Sequence, residues 1–105
     1  MVSEDAVVEY AAKLEGASER QQEEWRIFEL NGHVFLCIEK GTNPLRIELR
    51  CERNLSKTLQ ERYESVMESR ALGRNGIEII CSGQLTGDEV IDLVRHAYEQ
   101  TKIIE

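Results

Sequence analysis

The stretch Gly76-Ile-Glu-Ile-Ile-Cys-Ser-Gly-Gln-Leu-Thr-Gly-Asp-Glu-Val-Ile-Asp-Leu-Val-Arg-His-Ala-Tyr-Glu-Gln-Thr101 decides the fold. Ile77, Ile79 and Cys81 alternate as in a strand with one buried face. Gly83-Gln-Leu-Thr-Gly87 then turns the chain. Thr86 and Glu89 form a capping box, each side chain satisfying a backbone donor of the other. Val90, Ile91, Leu93, Val94, Ala97 and Tyr98 recur at helical spacing beyond it. Strand, tight turn and amphipathic helix predict a helix laid on a sheet.

The upstream segments supply the rest of that sheet. Leu45-Arg-Ile-Glu-Leu-Arg-Cys51 alternates cleanly. Leu45, Ile47, Leu49 and Cys51 point to a core, while Arg46, Glu48 and Arg50 are assigned to a wet face. Trp25–Leu30 and His33–Glu39 flank Asn31-Gly32, the preferred pair for a type I′ hairpin turn because both residues accept positive φ cheaply. Gly41-Thr-Asn-Pro44 reads as a turn. A first helix is expected over residues 4–15, capped by Ser3 and ended by Gly16. Its apolar face is Val7, Val8, Ala11, Ala12 and Leu14. A second helix starts at Asn54 or Ser56 and runs to about Ser69 through Leu55, Leu59, Arg62/Tyr63, Val66 and Met67. Residues 17–24 are polar without a period and read as a loop, and residues 71–76 as a connector.

Short links make the first three strands antiparallel neighbours. The expected architecture is α+β: a two-layer sandwich of a largely antiparallel sheet with helices on one face, in a single domain spanning residues 1–105.

Composition narrows the function. No apolar run reaches the roughly 20 residues of a membrane span. The start, Met-Val-Ser-Glu-Asp, is acidic, unlike a signal peptide, so the expected location is cytoplasmic. Cys37, Cys51 and Cys81 lie far apart in apolar runs and read as buried free thiols. The net charge of −7 is uneven: −5 over residues 1–40, +2 over 41–75 and −4 over 76–105. An acidic chain is repelled by polyanions at long range, so contact with one must use a local patch, which only the middle segment can supply.

In order and spacing these pieces resemble the MmcQ/YjbR-like family of small bacterial proteins. The matching features are Leu14-Glu-Gly-Ala17, Trp25-Arg-Ile-Phe-Glu-Leu-Asn-Gly-His-Val-Phe35, Leu45-Arg-Ile-Glu-Leu-Arg50 and Glu89 with His96-Ala-Tyr98. The resemblance covers about residues 7–101. It implies a CyaY-like fold, similar to frataxin, and no catalytic activity. The family is labelled DNA-binding by structural analogy. This chain departs from it before the last strand. The family has a Lys/Arg-His-Trp stretch there, and this chain has Gly73-Arg-Asn-Gly-Ile77, which keeps Arg74 alone.

Three binding chemistries fit the residues. Arg46, Arg50, Arg53, Lys57, Arg70 and Arg74 can gather on one side, and phosphate contacts need such clustering. Arg46, Arg50 and Arg74 are the nucleic-acid-binding candidates, for weak, salt-dependent contact with DNA. The bland alternative is a solvated face in which Glu48 and Glu52 offset them. A protein partner would instead use an open sheet face carrying Trp25, Phe28 and Phe35. Acidic residues of and after the first helix (Glu4, Asp5, Glu9, Glu19, Glu23 and Glu24) allow a frataxin-like metal reading, but dipole capping suffices for Glu4 and Asp5. No zinc spacing, phosphate-cradling loop or nucleophile motif is present, so no metal, cofactor or catalytic residue is expected. His96 is assigned a half-buried role near a helix C-terminus, where the dipole favours its charge.

Overall fold

The computed structural model describes residues 2–104, and Met1 and Glu105 lie outside the described residues. In chain order the elements are α1 (Glu4–Ala12), β1 (Ala17–Gln22), β2 (Trp25–Leu30), β3 (His33–Glu39), β4 (Leu45–Arg50), α2 (Arg53–Arg62), β5 (Val66–Ser69), β6 (Gly73–Cys81) and α3 (Gly87–Lys102). The strands form one six-stranded sheet in the order β1-β2-β3-β4-β6-β5. Every neighbouring pair is antiparallel. This is the expected α+β sandwich.

Period-2 alternation decides which residues face the helices. Phe28, Leu36, Ile38, Ile47, Leu49, Ile77 and Ile79 are buried on that side with Val7 and Ala11 of α1 and Val90, Val94, Ala97 and Tyr98 of α3. Leu55 and Leu59 of α2, and Tyr63 just after it, pack against the same cluster. Phe35 lies edge-on to Tyr98, with ring centroids 5.7 Å apart. The Tyr98 hydroxyl donates to the Glu15 carbonyl and ties α3 to the loop after α1. The capping box of α3 forms as expected: Glu89 N donates to Thr86 Oγ1 at 3.1 Å, and Thr86 N to Glu89 Oε1 at 2.8 Å. Asn31 and Gly32 both adopt positive φ, 53° and 80°, as their hairpin turn requires.

Five expectations about elements are corrected. The first helix ends at Ala12 with Lys13 as its C-cap, short of the expected residue 15 and Gly16. Residues 17–22 form β1, an edge strand rather than a loop. Five of its six residues are exposed, so no apolar alternation marks it. Main-chain pairing to β2 and two ion pairs hold it, Arg20–Glu29 at 3.2 Å and Glu19–Arg26 at 2.8 Å. Charged side chains on an edge strand also discourage pairing with another chain. The second helix is capped by Glu52, whose carboxylate accepts from Asn54 N and Leu55 N at 3.0 and 2.8 Å, so it starts before Asn54 and Ser56. It stops at Arg62, because Tyr63 is extended, and Val66–Ser69 becomes a second edge strand. The expected connector at 71–76 is largely the start of β6, which begins at Gly73. Gly76 is required where it sits: a Cβ there would lie 2.7 Å from the Leu49 carbonyl oxygen and 2.9 Å from Leu72 Cβ.

Candidate functional site

The face of the sheet away from the helices carries the residues assigned to a wet surface, and its centre is not wet. Glu48 of β4 and Glu78 of β6 stand directly opposite each other, and each is only 2% exposed. Buried carboxylates require donors, and the β5–β6 loop brings them. A bulge at Glu68/Ser69 turns this loop onto the sheet. Ser69 Oγ and Ala71 N donate to Glu48 Oε1 at 2.7 and 2.9 Å. Arg70 Nε donates to Glu78 Oε1 at 2.9 Å, and its Nη2 lies 3.6 Å from Glu48 Oε2. Arg46 Nη1 donates to Glu78 Oε2 at 3.4 Å. The expected exposure of Glu48 is therefore corrected: it is the anchor of a strap across the sheet.

The three arginines singled out from the sequence do not act together. Arg46 is committed to Glu78. Arg50 is half-buried and donates through both Nε and Nη2 to the Val34 carbonyl, at 3.1 and 2.9 Å. Burial alone lowers its pKa, as expected for a cation held by a carbonyl rather than a carboxylate. Arg74 is exposed and stands elsewhere, in a groove of about 570 Å³ between α2 and the β5–β6 edge. Arg53, Asn54, Ser56, Lys57, Gln60, Glu61 and Glu68 line that groove with it. Arg53 and Lys57 sit one turn apart on α2 and so share a face.

These cations differ from the others in the chain. Among the described residues, Lys13, Arg20, Arg26, Arg46, Arg70, Arg95 and Lys102 hold ion pairs. Lys40 donates to Gln21, Arg50 to Val34, and Arg62 covers the Tyr63 ring. Arg53, Lys57 and Arg74 have no such partner among the described residues, and all three line the same groove. Glu61 and Glu68 reduce its local charge to +1.

The partner-surface candidates also divide. Phe28 and Phe35 are 1% and 0% exposed, so the expectation that they form an exposed patch is corrected. They are core residues because Phe28 points to the helices by alternation, and the β2–β3 irregularity turns Phe35 the same way. Trp25 alone of the three is on the helix-free face, half-buried beside Ile27 and Cys37.

His96 is half-buried but not in the last turn of its helix, which continues to Lys102. Its Nε2 accepts from the Glu52 backbone N–H at 3.2 Å, which requires the neutral ring with its proton on Nδ1. Burial holds its pKa below the ordinary 6.5, with the Glu52 carboxylate opposing. The assignment of a dipole-favoured charge is corrected accordingly. The three cysteines are free and buried, and burial pushes each thiol up to about 11. Of the acidic residues near α1, Glu4 and Glu19 are taken by Arg26, and Glu9 by Lys13. Among the described residues no group of three or more His, Cys, Asp or Glu is placed to hold a metal ion. No described helix is long and apolar enough to cross a membrane.

No family model matches the sequence, and no curated protein matches it significantly. Solved structures do. The fold is similar to that of Deinococcus radiodurans protein DR2400, whose domain is described as DUF419: TM-score 0.89 at 15% identity, covering 98% of this chain and 80% of that one. It is also similar to a structural-genomics protein from Pseudomonas syringae, with TM-score 0.77 at 16% identity over 95% of this chain and 99% of that one. DUF419 is the MmcQ/YjbR family. At these identities the likeness is one of fold.

Proposed function

We propose that this protein is a small binding module of the MmcQ/YjbR type, with that family's CyaY-like fold, and that it contacts nucleic acid weakly through the groove between α2 and the β5–β6 edge. The observation that carries the reading is the convergence of Arg53, Lys57 and Arg74, cations without partners among the described residues, on one groove of an otherwise acidic chain. Phosphate contacts position a nucleic acid without reading its sequence, and unpaired exposed cations are the groups that make them. Arg74 keeps the role assigned to it from the sequence. Arg53 and Lys57 replace Arg46 and Arg50, whose guanidiniums are used within the fold. Three contacts against a net charge of −7 support weak, non-specific binding, in the range of roughly 1–100 μM at physiological salt.

The test is a titration of isotope-labelled protein with a short DNA duplex at low and moderate salt. The expected result is salt-sensitive amide shifts at Arg53–Lys57 and around Arg74, with Arg46 and Arg50 unmoved. Shifts centred on Arg46 and Arg50, or none at low salt, would overturn the reading.

A further inference from the structure

A second surface, on the opposite side of the sheet from the helices, carries a different chemistry. Gln22, Glu23, Trp25, Ile27, Cys37 and Ala71 line a nook of about 190 Å³ there. Its walls are an indole, an isoleucine, a buried thiol and the alanine of the strapped β5–β6 loop. Directly across the β2–β3 ladder from Trp25, on the same face, stands Glu39.

Glu39 is the unsatisfied member of this face. Its Oε2 is buried and has no hydrogen-bond partner among the described residues. Its neighbour on β4, Arg46, is registered opposite it and yet donates to Glu78. Arg70 is engaged with Glu78 and Glu48. The centre of the face thus holds three carboxylates (Glu39, Glu48 and Glu78) against two guanidiniums. Glu23 on the rim also lacks an ion pair among the described residues. A carboxylate oxygen buried without a donor costs free energy until a donor arrives.

We propose that the helix-free face docks a basic segment of a protein partner, with one arginine or lysine side chain seated between Trp25 and Glu39. Such a side chain has an apolar stem that suits the nook and a cationic head that suits an indole face and a free carboxylate. The complementarity extends to long range, because a chain of net charge −7 attracts a basic partner. This surface is separate from the α2 groove and does not depend on nucleic-acid binding.

Trp25 is the single tryptophan, so its fluorescence reports on the nook. The probe is an acetylated, amidated Leu-Arg-Leu-Arg-Leu peptide, compared with a twin in which neutral citrulline replaces arginine. The arginine peptide is expected to shift Trp25 emission saturably, with the citrulline twin roughly tenfold weaker or worse. Glu39→Gln is expected to weaken the arginine peptide roughly fivefold, while Asp92→Asn, an exposed charge removed from α3, leaves it unchanged. Thermal melts verify that both variants fold. Equal binding of the two peptides, equal effects of the two variants, or no Trp25 response at millimolar peptide would each overturn the proposal.

Discussion

The centre of the helix-free sheet face and the α2 groove draw their arginines from the same basic middle segment and use them in opposite ways. On the sheet, Arg46 and Arg70 neutralise Glu78 and Glu48, carboxylates only 2% exposed. In the groove, Arg53, Lys57 and Arg74 hold no ion pair among the described residues. The difference teaches that local charge excess does not locate a polyanion site. What matters is which cations remain after the fold has satisfied its own buried anions.

Removing the anchor of the strap tests this division most forcefully. Glu48→Ala leaves Ser69 Oγ and Ala71 N without their acceptor, and is expected to lower stability by about 3 kcal/mol in urea unfolding. A loss within the scatter of surface variants would break the comparison. Arg50→Ala comes next. It removes two hydrogen bonds to the Val34 carbonyl and is expected to cost about 1–2 kcal/mol while leaving duplex affinity unchanged. A drop in affinity with unaltered stability would move Arg50 to the binding side.

Acidification probes the joint between α2 and α3. The fold favours neutral His96, so its contribution is fully present above the ordinary value of 6.5 and is lost progressively as pH falls below it. Unfolding midpoints at pH 7.5 and 5.5 are expected to show this decline, and His96→Gln is expected to flatten it. An unchanged slope in the variant would remove His96 from the account. The smallest stability effect belongs to Arg74→Ala, within about 0.5 kcal/mol of the parent, because its side chain has no partner among the described residues. Its effect is expected in binding alone.

Much of the architecture was legible because it rests on periodicity. Ile77, Ile79 and Cys81, the Leu45–Cys51 alternation, Asn31-Gly32 and the Thr86/Glu89 box each state a local geometry that the structure repeats. Edge strands were not legible. Residues 17–22 bury almost nothing, and residues 66–69 are too few for a period to separate them from the end of a helix. Two-residue alternation did assign Arg46, Glu48 and Arg50 to a common face. It carried no signal that the distant loop 69–72 would fold back over Glu48 and seal it. The cations of the groove stood among the basic residues of the middle segment, with Arg53 and Lys57 at helical spacing. Their separation from Arg46 and Arg50 depends on the ion pair of Arg46 with Glu78 and the hydrogen bonds of Arg50 to the Val34 carbonyl, contacts between residues far apart in sequence that no local pattern encodes.

The most direct test of the central claim is the salt dependence of duplex affinity for the parent protein and for the triple variant Arg53→Ala/Lys57→Ala/Arg74→Ala. Three phosphate contacts predict a slope of log K against log salt of roughly −2 to −3 for the parent, and a variant of parental stability with a slope near zero. A variant that binds with the parental slope would contradict the account and return the site to the arginines of the sheet.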